Sequence, residues 1–316
     1  MDALTHGFIG LAIGNLSGQS FSYTNPIYLA AFLGSLAPDL DIIAASRGGM
    51  SYLKQHRCAS HSLVGIVGWS TLIAMFLNLI LSEASFITSW CWALVGAFSH
   101  ILMDYFNTHG AALFWPFRRE RLSANLINVF DPFLLFMLLG SSAIISPALP
   151  LLGTMFASMT LYLFLRYVLR NRSEHQLRQY FSPLSVKRLL IMPSLKSIIC
   201  WDFVVETENQ YYVGKIGIFS SKLTMNTVLP IQLGSPIIEH AQDTLLGKFF
   251  LVFTPFLYFA ELGEQGDKSF KKIQIYDLRY FKKNSFLHSG IIIYDDNNQL
   301  CESYIESYGC KLKFPA

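Results

Sequence analysis

Five of the eight histidines fall within the first 131 residues: His6, His56, His61, His100 and His109. Four aspartates accompany them, Asp39, Asp41, Asp104 and Asp131. Imidazole and carboxylate together form a ligand set suited to zinc, manganese or iron. A cation held by such a set makes bound water acidic and polarises a phosphoryl or carbonyl oxygen.

The local spacings suit ligation. His100 and Asp104 are four residues apart and share one helix face. His109 follows closely enough to close around the same ion. Pro38-Asp39-Leu40-Asp41 sets two carboxylates beside a residue that stops or bends a helix. His56 and His61 offer two imidazoles within one short loop. Other readings stay open. Asp131 precedes Pro132 and could cap a helix. Asp39 or Asp41 could orient a histidine rather than bind the ion, and His56 could do the same. Either aspartate could also serve as general base. Cys58 lies between the two loop histidines and reads better as a small buried side chain. Arg57, Arg118, Arg119 and Arg121 border the set. They could bind a phosphate or an anionic lipid head group, or simply fix topology.

The elements that must position these residues are apolar. The 316-residue chain is 52% hydrophobic and only 14% charged, with a mean hydropathy of +0.38. The net charge of +3 and scattered basic residues exclude a nucleic-acid surface. Five cysteines without a Cys-x-x-Cys pair exclude a zinc ribbon or disulfide framework. The start of the chain lacks a basic leader and reads as a first helix. A bilayer-spanning helix needs roughly 20 apolar residues. Residues 27–45, 62–82, 87–106, 129–147 and 149–169 approach that length, and residues 3–17 form a shorter sixth segment. Arg47, Lys54, Arg57, Arg118, Arg119, Arg121, Arg166, Arg170 and Arg172 fall in every second connection and after the last segment, while the other connections carry only Glu83. The positive-inside rule then places both termini in the cytoplasm. Every histidine and aspartate of the set falls on the same side as the basic loops. Ionisable groups in membrane segments are expensive, so a one-sided cluster points to function.

The composition changes near residue 185. Residues 201–219 read as a hairpin, and 288–309 as two strands around an Asp-Asp-Asn-Asn turn. Residues 239–253 read as an amphipathic helix on that sheet. Lys248 and Pro255 argue against a further span there. The expected fold is an all-α polytopic helical bundle over 1–175, with a smaller cytoplasmic α+β domain over 190–316.

On Thr5-His6-Gly7, Pro38-Asp39-Leu40-Asp41, His56-Arg57 to Ser60-His61-Ser62, His100 to Asp104, His109-Gly110 and Asp131-Pro132, the sequence resembles the YdjM family. The resemblance covers roughly residues 1–175, and Trp201 to Gly214 looks like that family's cytoplasmic tail. It implies a bacterial inner-membrane, metal-dependent hydrolase. A more distant pattern is similar to the zinc-dependent phospholipase C and single-strand nuclease superfamily. That likeness implies His6, Asp39, His61, His100, Asp104 and His109 as ligands, one to three zinc ions, and a phosphoester substrate. The superfamily's later His-x-x-x-Glu pair has no counterpart here, and Asp131 is its possible replacement.

The leading expectation is therefore a membrane-bound metal-dependent hydrolase of phosphoesters, lipid-linked ones included, at the cytoplasmic leaflet. One alternative is a metal-handling protein or transporter. The nearly bare outer halves of the helices disfavour it, because a transport path needs polar groups through the full depth. Another is a non-enzymatic anchor presenting the C-terminal domain.

Overall fold

The computed structural model describes residues 1–41, 58–118, 120–142, 149–195, 197–220, 222–232, 234–262, 270–282, 284–295, 297–307 and 310–314. They divide into two compact units, Met1–Arg170 and Asn171–Ala316.

The first unit is helical. Helix α1 spans Ala3–Asn15, and its N-cap Asp2 accepts a hydrogen bond from the Thr5 amide. Helix α2 spans Pro26–Leu36, capped by Asn25 with proline in its first turn. It passes into a 3₁₀ turn over residues 37–41, because Pro38 cannot continue the α pattern. Helix α3 (Leu63–Ile80) is capped by Ser62, and α4 spans Phe86–Phe106. Helices α5 (Pro132–Ser142) and α6 (Leu149–Tyr180) follow.

Among the described residues, three helices are long and apolar enough to cross a membrane: Leu63–Ile80, Phe86–Phe106 and Leu152–Tyr180. The expected six spans are not supported. Helix α1 has 13 residues and α2 has 11. At about 1.5 Å per residue they reach roughly 20 and 17 Å, short of the ~30 Å hydrocarbon core. The turn after Asn15 and the prolines at 26 and 38 cut these runs down.

Small residues let α1, α2 and α4 approach closely. A Cβ at Gly34 would collide with the Ala93 carbonyl, and one at Gly96 with the Ala31 carbonyl. One at Gly10 would meet Ser35 Oγ. Ala30, Ala31, Ala93 and Ala97 are fully buried in the same seam. Such seams hold membrane helices together where lipid offers no hydrophobic drive. Here they also bring the N-terminal end of α1, the C-terminal ends of α2 and α4, and the start of α3 to one end of the bundle.

The second unit begins with an antiparallel meander in the order β1-β2-β3-β4. Its strands are β1 Arg188–Ser194, β2 Ser197–Glu206, β3 Gln210–Gly217 and β4 Leu223–Pro230. Two short helices follow, α7 (Pro236–Asp243) and α8 (Leu245–Phe253). A second sheet has the order β11-β10-β9-β6-β5. It uses β5 Leu257–Leu262, β6 Lys271–Asp277, β9 His288–Tyr294, β10 Leu300–Ser307 and β11 Cys310–Phe314. A small hairpin, β7 Phe281–Lys282 and β8 Ser285–Phe286, lies between β6 and β9. Both expected hairpins are present, as β2–β3 and β9–β10. The expected helix over 239–253 is broken at Thr244, which ends α7 and caps α8. Phe250 and Leu246 of α8 pack where Gly290 of β9 has no side chain. The apolar stretch around Lys248 is a nine-residue helix followed by a strand, not a span.

Candidate metal centre

His100 is fully buried in α4. Its Nδ1 lies 2.6 Å from the Ser35 carbonyl oxygen. A carbonyl only accepts, so Nδ1 carries the proton and Nε2 keeps its lone pair. His61 sits just before the N-cap of α3 and is also fully buried. Its Nδ1 lies 2.9 Å from Ser60 Oγ, and that hydroxyl donates to Asp41 Oδ2 at 2.9 Å. The hydroxyl has one proton, so it accepts from His61 Nδ1. The hydrogen-bond network therefore assigns both rings the same tautomer.

The two Nε2 atoms are 3.1 Å apart. Neutral rings in these tautomers cannot hydrogen-bond to each other there. Asp39 Oδ1 lies 3.4 Å from His61 Nε2 and 3.5 Å from His100 Nε2. Asp104 Oδ2 lies 3.3 and 3.8 Å from the same atoms. Two lone pairs flanked by two carboxylates attract a cation. Ligands at about 2.1 Å from a tetrahedral ion are separated by roughly 3.4 Å. The His61, His100 and Asp104 separations fall around that value.

His6 of α1 completes the cluster. Its ring stacks on His100 with centroids 3.6 Å apart. Nε2 lies 3.5 Å from Asp104 Oδ1, yet neither ring nitrogen makes a hydrogen bond. A fully buried imidazole without hydrogen bonds is costly. Two groups of ligand atoms result, each within 4.8 Å of one another: His6, Asp39 and His100, and His61, His100 and Asp104. The donor chemistry and the orphaned His6 nitrogens fit a divalent cation.

The remaining carboxylate geometry is supportive. Asp41 holds His61 through Ser60 and acts as an orienting group rather than as part of either triad. Asp104 Oδ1 accepts from Asn107 Nδ2 at 2.7 Å and contacts the Met1 amino group. Asn107 Oδ1 in turn accepts from the amides of His109 and Gly110. Asn107, Ser35 and Ser60 are missed by a search for ionisable ligands. The only signals for them are the small polar residues adjoining the histidine and aspartate motifs.

Two expected ligands are not brought together with these five. Asp131 Oδ1 caps α5 through the amides of Phe133 and Leu134, and Oδ2 accepts from the Tyr162 hydroxyl at 2.8 Å. Both of its oxygens are thus engaged, one by the start of α5 and the other by Tyr162 of α6. His109 is half-buried, with Nδ1 3.3 Å from Thr108 Oγ1, and belongs to neither triad. His56 and Arg57 lie outside the described residues. Arg118 is exposed. Cys58 is half-buried.

Residues 1–173 match the family model described as YdjM inner membrane protein. The chain belongs to this family. Together with three membrane-length helices, that makes this YdjM-family chain a membrane protein. Residues 236–310 match the YfhP C-terminal alpha/beta plait domain. The chain is similar to the uncharacterized protein YfhP of Bacillus subtilis (strain 168). The two are 27% identical over 304 residues, covering 92% of this chain and 90% of that protein. No solved structure matches.

Proposed function

We propose that this protein is a membrane-bound, metal-dependent hydrolase of phosphoesters. The observation that carries the reading is the pair of imidazole nitrogens, His61 Nε2 and His100 Nε2, 3.1 Å apart between Asp39 and Asp104. His6, Asp39, His61, His100 and Asp104 would hold the cation. Zinc suits the set best, and manganese or iron would also be accepted. The two triads share His100, whose Nε2 would be a ligand common to both. Bound there, the ion supplies Lewis acidity toward a phosphoryl oxygen and an acidified water.

The chain's own groups then have separate tasks. Ser35 and the Ser60–Asp41 pair hold the two imidazoles in the required tautomer. Asn107 holds Asp104. Among the four residues whose nitrogens and oxygens cluster most tightly, Asp39 alone has appreciable side-chain exposure, at 23%. It is therefore the group that would meet a substrate and, where it is not itself a ligand, accept a proton from attacking water.

The basic residues near this end of the bundle support a multi-pass topology with the site and both termini facing the cytoplasm. They also support a substrate with a phosphate, free or lipid-linked, delivered from the membrane side. The test is a screen of phosphomonoesters, phosphodiesters and phospholipids with the metal-loaded, detergent-solubilised protein. Hydrolysis that disappears in His100→Ala and Asp39→Asn supports the reading. Stoichiometric metal with no hydrolysis of any of these substrates would sink it.

A further inference from the structure

The second unit carries an open pocket of about 630 Å³, within the range of small-molecule sites. Its floor is one face of the five-stranded sheet. Tyr276 pairs with Ser289, and Ser289 with Glu306. These three residues therefore form one row across β6, β9 and β10. Gln274, two residues before Tyr276, shares their face. Ile273 and Ile275 alternate with them and are fully buried on the opposite face. The row is thus a polar strip on a sheet whose other face already forms a core.

The walls are of two kinds. Asn226 and Thr227 of β4 stand on one side. The β7–β8 hairpin supplies Phe281 and Phe286 on the other. Phe286 lies 5.0 Å from Phe281 and 5.2 Å from Tyr276, ring centre to ring centre. The aromatic groups offer stacking surface. The amides of Asn226, Gln274 and Asn284 each offer a donor and an acceptor together. Among the described residues, Glu306 is the only charged one lining the cavity.

Each feature narrows the occupant. One carboxylate, with no histidine or cysteine beside it, does not make a metal site. Among the described residues the lining holds no lysine or arginine, so a phosphate would meet Glu306 there unneutralised. An acyl chain would leave the polar strip unpaired. Aromatic walls with amides at the edge suit a flat ring with donors and acceptors on its rim, as a nucleobase has. We propose that this cavity binds a nucleoside or free nucleobase, and that Glu306 accepts from the ring's N–H groups. The site is independent of the metal centre.

Isothermal titration of the full-length protein in detergent tests this. The probes are adenosine, guanosine, cytidine and uridine, their 5′-monophosphates, and glucose as a non-planar polyol. At least one nucleoside should bind, and more tightly than its 5′-monophosphate. Its affinity should fall about tenfold or more in Glu306→Gln, as when a site loses a hydrogen-bonding partner. Asn226→Ala, on the other wall, should also weaken binding and guards against a folding defect in a single variant. The proposal is overturned if no nucleoside or base binds at millimolar concentration. It is equally overturned if glucose binds in their place, or if both variants bind as the unaltered protein does.

Discussion

His61 Nε2 and His100 Nε2 face each other at 3.1 Å, each ring with its Nδ1 already engaged by a protein oxygen. The relationship couples two helices. Helix α2 fixes the His100 tautomer through the Ser35 carbonyl, and the loop before α3 fixes that of His61. The metal proposal thus rests on backbone and hydroxyl positions as much as on the ligands themselves.

Removing either imidazole should abolish metal retention, whereas removing an orienting group should only weaken it. His61→Ala and His100→Ala should lose stoichiometric metal. Asp41→Asn and Ser60→Ala should keep a site whose affinity is lower by roughly 10–100-fold, the usual cost of losing an outer partner. Elemental analysis of the purified proteins, with competition by a chelator, separates the two classes. Full metal retention in His100→Ala would remove the basis of the placement.

Much of this candidate site is legible in the sequence because histidine and aspartate are chemically rare in apolar segments. His6, Asp39, His61, His100 and Asp104 stand out in type, and positive-inside reasoning puts them on one side. Asp131 is ambiguous for a physical reason. Aspartate before proline is at once a ligand candidate and a helix cap, and only the Tyr162 hydroxyl and the amides of α5 decide between them. His109 follows Asp104 closely in sequence, but Asn107 turns the chain by binding the His109 and Gly110 amides. Span number is less legible, since hydropathy extends through Leu16 and Leu40 although the helices have already stopped. In the second unit, strand alternation and the Asp-Asn turn are local signals, so the hairpins are readable. The pairing of β6 with β9 is not readable in that way, because it joins strands separated by the β7–β8 hairpin.

Asp131→Ala should lower stability without lowering metal content. The cap it provides is worth about 0.5–2 kcal/mol. Asparagine at this position should restore most of the loss, since it caps nearly as well. Thermal unfolding followed beside metal analysis checks both halves. A loss of metal in the alanine variant at a temperature where it stays folded would return Asp131 to the ligand set.

Gly96→Ala tests the helix seam. The added methyl collides with the Ala31 carbonyl and presses on the backbone next to Ser35. Overpacking of this kind costs roughly 1–3 kcal/mol. It should also weaken metal binding, because Ser35 is displaced from His100. Gly68→Ala in α3 is the control, since its Cβ would meet nothing within 4 Å. The control should unfold at or above the temperature of the unaltered protein, given the better helix propensity of alanine. Equal behaviour of the two variants would mean that the seam does not set the position of α2.

His288 in β9 gives the second unit a pH dependence of definite sign. Burial lowers its pKa below the usual histidine value, Asp277 opposes that, and Arg279 adds to it. Its ring packs edge-on against Phe253 and Tyr280. Between the folded pKa and about 6.5, the unfolded chain binds more protons than the folded one. Stability in that window therefore rises with pH. The contribution of neutral His288 is fully present above about 6.5 and is lost as pH falls toward the folded value. Hydrogen exchange of peptides from β6 and β9, compared at pH 7.5 and 5.5 after correction for the intrinsic exchange rate, reads this locally. Protection should drop at the lower pH, and His288→Gln should flatten the difference. Protection that is unchanged or greater at pH 5.5 in the unaltered protein would contradict the sign.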